Sequence, residues 1–137
     1  MDKTIVLTIN KLEYGWAELS LLIDDSEMML SFENVPFDTL SILLENTLKL
    51  SYNMDSRVTF YNGSQKDSLT ICRVNSDWCN IEIMNCFFEL PNRALYKAVL
   101  RMFDKYVFAF SIETYEKNWG GFPKKELEVL RSIYHAE

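Results

Sequence analysis

The sequence predicts an α+β fold in which helices cover one face of an antiparallel sheet of about six strands. Several short segments alternate apolar and polar residues, as strands with one buried face do. Longer segments place apolar residues at helical spacing, and they follow groups of strands instead of alternating with single strands. We therefore expect the element order β-β-β-α-β-β-β-α-α.

The first three predicted strands form a meander, in which each strand pairs with the next. They cover residues 4–10, 16–24 and 27–33, and each carries apolar residues at every second position. The polar sequence DDSE, residues 24–27, has the composition of a tight hairpin turn. One side of this meander is therefore expected to face the core.

A helix is predicted over residues 35–50. Pro36 suits a helix start, and Asp38 can cap the helix or lie in its first turn. Leucines recur at helical spacing after it, which indicates a helix packed on the core.

A second group of strands, at residues 57–62, 67–74 and 77–88, leads to a helix that begins at Pro91 or Asn92. Residues 106–113 fit both a strand, by alternation, and a helix, by spacing. A row of cations four residues apart leads into this segment and favours one long helix. The row consists of Arg93, Lys97, Arg101 and Lys105.

The sequence YEKNWGGFPKKELEVL, residues 115–130, combines aromatic residues with two of the four glycines. We interpret it as a corner between two helices and not as a binding loop. Gly120 or Gly121 is expected to end one helix in a left-handed conformation, and Pro123 to begin the last helix.

Composition limits the class of protein. The chain has 137 residues, which suits a single globular domain over residues 1–137. Its net charge of −6 disfavours nucleic acid and anionic membranes as partners. No segment reads as a signal peptide or a membrane helix, which predicts a cytoplasmic protein. Cys72, Cys79 and Cys86 lie seven residues apart, which is not a metal-ligand spacing, and are expected to be inert reduced thiols.

Motifs for catalysis are missing from the sequence. It contains no glycine-rich phosphate loop, no nucleophile elbow and no cluster of metal ligands, and its only histidine, His135, is close to the end. We therefore predict no catalytic, cofactor-binding or metal-binding residues, and a protein that is not an enzyme.

The hairpin formed by residues 16–24 and 27–33 is the predicted partner-binding site. A four-residue turn would pair Leu22 with Met29 and Glu18 with Glu33 on the face away from the predicted core. Exposed apolar residues rimmed by carboxylates suit a basic protein partner, and tryptophan is a preferred interface anchor. The predicted site residues are Trp16, Glu18, Leu22, Asp24, Asp25, Glu27, Met29 and Glu33.

An alternative interpretation of this face remains open. A helix of the same chain could cover Leu22 and Met29, and the cation row could neutralise the glutamates. The cation row itself is expected to be a solvated helix face.

A small acidic α+β chain of this kind, without a catalytic set, resembles the immunity proteins of bacterial polymorphic-toxin and contact-dependent inhibition systems. The resemblance implies a protein that binds and blocks a cognate toxin, often a basic nuclease. Its acidic N-terminal half, with eight carboxylates and no lysine or arginine over residues 12–48, would then face the toxin. The alternative is a homodimeric structural or regulatory domain that pairs through its exposed sheet face.

Overall fold

Seven strands in two antiparallel sheets and four helices make up the fold of residues 4–136, the part of the chain that the computed structural model describes. The ends of the predicted domain, residues 1–3 and residue 137, lie outside the described residues. The first sheet contains β1 (Ile5–Glu13), β2 (Trp16–Ile23) and β3 (Ser26–Glu33) in that order. The second contains β4 (Ser56–Asn62), β5 (Gln65–Arg73), β6 (Trp78–Ile83) and β7 (Cys86–Pro91).

The helices are α1 (Thr39–Ser51), α2 (Asn92–Ala109), α3 (Ile112–Asn118) and α4 (Lys124–Ala136). Within residues 4–136, none of them has the length and apolar composition that crossing a bilayer requires. One face of each sheet is buried with the helices in a shared hydrophobic core, and the other face is the more exposed one. The predicted α+β class is therefore confirmed.

The predicted single sheet of about six strands is wrong, because there are two sheets with seven strands in total over residues 4–136. The additional strand comes from the segment 77–88, which is a hairpin and not one strand. Met84 and Asn85 form its turn with φ angles of 50° and 63°. Two consecutive residues with positive φ are typical of the tight turns whose twist matches paired strands.

Phe32 connects the two sheets in the core. Its ring lies 4.8 Å from that of Phe60, measured between centroids, so β3 and β4 meet there although they belong to different sheets. On its other side the Trp119 ring lies 5.7 Å away, edge to face. Phe32 therefore contacts both sheets and the segment that joins α3 to α4.

Asp38 caps α1, in agreement with one of the two positions predicted for it. Its carboxylate accepts hydrogen bonds from the backbone N–H of Ser41 at 3.2 Å and from the Ser41 hydroxyl at 2.9 Å. A carboxylate at this position satisfies an N–H group that has no partner within the helix and interacts favourably with the helix dipole.

The ambiguous segment 106–113 is helical up to Ala109, and the long helix that we predicted then breaks. Ser111 has a φ of 150° and caps the separate helix α3 by accepting a hydrogen bond from the N–H of Thr114 at 3.0 Å. An N-cap residue has non-helical dihedrals, so the cap at Ser111 is the reason for the break. The region that was expected to hold two helices therefore holds three, α2, α3 and α4.

The corner between α3 and α4 holds three distant segments together. The indole N–H of Trp119 donates to Asp38 Oδ1 at 2.7 Å, and the backbone N–H of Gly15 donates to the carbonyl of Asn118 at 2.7 Å. The side-chain amide of Asn34 donates to the carbonyl of Trp119. These bonds tie the corner to the β1–β2 turn and to the connection between β3 and α1.

The prediction that Gly120 or Gly121 ends α3 in a left-handed conformation is wrong, since Gly15 and Gly63 are the described glycines with positive φ. The last carbonyls of a helix need partners from outside the helix. Here Gly15 and Asn34 supply them, so the helix ends without a left-handed glycine.

Candidate partner-binding face

Strands β1, β2 and β3 present one side to the core and the other side away from the helices. We call the second side the outward face. Because side chains alternate along a strand, the register of the three strands determines which residues share it. Residues on this face form four cross-strand rows: Val6, Leu22 and Glu27; Thr8, Ser20 and Met29; Lys11, Glu18 and Ser31; Glu13, Trp16 and Glu33.

The predicted register of the β2–β3 hairpin is wrong by two residues. The turn consists of Asp24 and Asp25 alone, with Ile23 opposite Ser26, so Glu18 is not opposite Glu33 and Leu22 is not opposite Met29. The positive φ of 53° at Asp24 allows this shorter turn, and the Asp24 carboxylate accepts the N–H of Thr4 at 3.1 Å.

The predicted like-charge pair therefore does not exist as a direct pair. Because the shift is an even number of residues, each side chain keeps its face, and only its neighbours change. The predicted strand residues of the site are all on the outward face, and Asp24 and Asp25 lie at its end in the turn.

Four apolar side chains stand on the outward face with a large exposed fraction. Three were predicted, and the fourth, Val6 on β1, was not. Val6 shares its side of the alternation with Thr4 and Thr8, away from Ile5, Leu7 and Ile9, and this was the signal that could have identified it. The exposed fractions are 39% for Val6, 42% for Trp16, 42% for Leu22 and 52% for Met29.

Carboxylates surround these apolar side chains. Trp16 lies between Glu13 on β1 and Glu33 on β3, and Leu22 lies beside Glu27. Lys11 lies opposite Glu18 and forms a salt bridge of 3.4 Å with Glu13. Both partners of this bridge are about half exposed, so it contributes little to stability. The face thus combines apolar anchors with an excess of negative charge.

The alternative interpretation of this face disagrees with the structure. Leu22 and Met29 are too exposed to be covered by a helix. Within residues 4–136 the salt bridges are Lys11–Glu13 and Arg131–Asp104, so the cation row of α2 does not pair with the glutamates of the outward face. A flat, exposed face of this kind suits contact with another surface better than enclosure of a small substrate.

The cysteines are separate from this face. All three are free, and the part of the chain that the structure describes contains no cluster of three or more potential metal ligands. Cys79 lies in the core, where burial, and to a smaller extent the neighbouring Cys72, raises the pKa of its thiol to about 12. Burial is the largest cause that raises the pKa of the Cys72 thiol, and the negative charges of Asp55 and Glu82 raise it further. Cys86 is exposed.

The burial and raised pKa of Cys79, against the exposure of Cys86, predict selective alkylation of the cysteines. Only the thiolate reacts, so at about pH 8 iodoacetamide should modify Cys86 and leave Cys79 unmodified in the folded protein. Peptide mapping by mass spectrometry would measure this, with the urea-unfolded chain as the control in which all three cysteines react. Equal labelling of Cys79 and Cys86 without urea would contradict the prediction.

Comparison of the chain with known proteins finds no matching family model, no similar curated protein and no similar solved structure.

Proposed function

We propose that this chain is a non-enzymatic, cytoplasmic protein-binding module whose outward face binds a basic protein partner. In the form suggested by the resemblance to immunity proteins, the partner is a toxin domain that the chain neutralises. The observation that carries the proposal is the set of four exposed apolar side chains, Val6, Trp16, Leu22 and Met29, surrounded by carboxylates.

The apolar residues and the carboxylates of this face contribute to binding in different ways. Aromatic and aliphatic anchors supply most of the binding energy when a partner excludes water from them. Carboxylates around them attract a cationic surface over a distance and select against acidic partners. Glu13, Glu18, Glu27 and Glu33 carry this charge, and Lys11 offsets part of it. Neither nucleic acid nor membrane fits such a surface.

The proposal expects a neighbouring reading frame that ends in a basic toxin-like domain, and the experiment uses that domain purified as an inactive variant; the absence of such a frame would itself count against the toxin form of the proposal. Titration calorimetry with this domain should show Trp16→Ala weakening binding about 30-fold or more, since an interface anchor contributes about 2 kcal/mol or more. Glu18→Lys combined with Glu33→Lys should slow association, with a smaller effect at high salt.

Matched controls come from the outer face of the second sheet. Phe87 is 73% exposed on β7, and Glu82 and Glu89 are exposed carboxylates on β6 and β7. Phe87→Ala and the double variant Glu82→Lys with Glu89→Lys should bind as the wild type does. If Trp16→Ala and Phe87→Ala bind equally well, the outward face is not the binding surface.

The alternative, a homodimer through the same face, is disfavoured by charge. A two-fold dimer places the same patch on both sides, so it would bring the carboxylates of the two copies together. We therefore expect a monomer by sedimentation velocity at low salt. A dimer in which the fluorescence of Trp16 shifts on association would favour the alternative and overturn the proposed use of the face.

A further inference from the structure

A groove of about 280 Å³ runs between the start of β1 and helix α2. Thr4 and the first three residues of β1, Ile5 to Leu7, line one side of it. Side chains alternate along a strand, so four consecutive residues line the groove only if the edge of the strand faces it. This edge is the outer one, because β2 is the only strand that pairs with β1 in the described sheet.

The opposite side of the groove belongs to α2 and is basic. It is lined by the cations Lys97, Arg101 and Lys105 and by the small apolar residues Ala94 and Ala98 of the same helix. We expected this cation row to be an ordinary solvated helix face. The structure instead places three of its four members beside a concave surface.

The three cations have no acidic partner among residues 4–136 that would neutralise them. Neither salt bridge in that range includes Lys97, Arg101 or Lys105. Asp104 is the acidic residue of α2 nearest to them in sequence, and its carboxylate is bound to Arg131 through two hydrogen bonds of 2.9 and 3.0 Å. Positive charge in the groove is therefore available to a ligand.

We propose that this groove binds an acidic segment of a partner protein in an extended conformation. The spacing of the cations supports such a ligand. Residues four apart on a helix lie about 6 Å apart along its axis, and Lys97 to Lys105 therefore spans about 12 Å. An extended chain with a carboxylate at every second residue presents one negative charge about every 6.7 Å.

Other anions fit the groove less well. A single phosphate or carboxylate is too short to contact all three cations. Single-stranded nucleic acid needs aromatic side chains on which its bases stack, and the residues lining the groove include none. The net charge of −6 further opposes a long polyanion. A peptide also brings backbone groups that can pair with an exposed strand edge, as in strand-addition complexes.

The groove proposal does not depend on the proposed function of the outward face. Val6 borders both surfaces, but the cations lie on α2 and the acidic anchors on β1 to β3. Variants of one surface leave the other intact, so the two proposals can fail separately.

The test measures fluorescence anisotropy of a labelled short peptide in which glutamate and threonine alternate, at about 20 mM salt, where screening is weak. The wild type should bind it, and the triple variant Lys97→Ala, Arg101→Ala, Lys105→Ala should bind it about tenfold or more weakly. Alanine favours helix, so this variant is expected to fold, which circular dichroism would verify.

The matched control removes the same charge elsewhere. Exposed positions of β4 and β5 carry three other cations, Arg57, Lys66 and Arg73. The triple variant that replaces all three with alanine should bind the peptide within about twofold of the wild type. A peptide of the same composition with its glutamates in one block should bind the wild type more weakly than the alternating one.

Five results would overturn the proposal. The first four are no binding to the wild type, equal loss in both triple variants, equal affinity for the block peptide, and tighter binding of an oligothymidine of the same charge. The fifth is complete displacement by an equal concentration of inorganic phosphate, because it would identify a small-anion site.

Discussion

Replacement of Phe32 by alanine is expected to lower the free energy of unfolding by about 3–5 kcal/mol, the usual cost of removing a fully buried phenylalanine. Phe32 is 0% exposed and contacts the rings of Phe60 and Trp119 at centroid distances of 4.8 and 5.7 Å. Its loss would leave a cavity where the two sheets and the α3–α4 corner meet. The neighbouring rings come from β4 and from the α3–α4 corner, so they cannot readily collapse into the space.

Urea unfolding followed by circular dichroism would measure this change. Phe108 on α2 is the matched control, because its side chain is 94% exposed and Phe108→Ala should alter stability by no more than about 0.5 kcal/mol. Phe32→Leu should fall between the two variants. A loss below about 1 kcal/mol for Phe32→Ala would contradict the role that we assign to this contact.

Asp38→Ala is expected to lower the free energy of unfolding by about 2–4 kcal/mol, because one carboxylate performs two tasks. It caps α1 through Ser41, a contribution of about 0.5–2 kcal/mol. It also accepts the indole N–H of Trp119 at 2.7 Å, a hydrogen bond to a charged group that contributes about 1.5–3 kcal/mol. The two contributions share one side chain and are not expected to add fully.

Asparagine at position 38 separates these tasks. Asp38→Asn retains an N-cap oxygen that can also accept the Trp119 N–H, and it loses the negative charge and the second acceptor oxygen, so it should cost about 1 kcal/mol. In a double-mutant cycle with Trp119→Phe, the two positions should show a coupling energy of about 0.5 kcal/mol or more. Asp67→Ala, at an exposed strand position, is the control. Equal effects of Asp38→Ala and Asp67→Ala would contradict the dual role.

Local patterns were sufficient to predict the fold class and the faces of the strands. Apolar alternation in residues 16–33 correctly assigned Trp16, Leu22 and Met29 to the side away from the core. The cap at Asp38 was one of the two positions predicted for that residue, because an acidic residue just before an apolar helical stripe stabilises the start of a helix by local contacts.

Features that depend on distant contacts were not predicted. The turn at Asp24 and Asp25 is short because Asp24 adopts a left-handed φ and its carboxylate accepts the N–H of Thr4, just before β1. The hairpin at Met84 has no glycine, so its sequence contains little turn signal. The end of α3 likewise relies on Gly15 and Asn34, which are about 80 or more residues away along the chain.

The same limit applies to the candidate surfaces. Whether a helix covers Leu22 and Met29 is decided by how the elements pack, and a sequence pattern does not contain that information. The position of Lys97 and Arg101 beside the edge of β1 also results from packing, since nearly 80 residues separate the end of β1 at Glu13 from the start of α2 at Asn92.

The bond from Gly15 to Asn118 has a consequence for the order in which the molecule assembles on the ribosome. The turn that ends β1 and the carbonyl that it binds are separated by more than 100 residues. A ribosome takes about 5–20 seconds to synthesise a segment of this length. During that interval α2 and the corner at Trp119 are not yet available to the first three strands. We therefore expect the outward face to become rigid only late in synthesis, after α3 has left the ribosome.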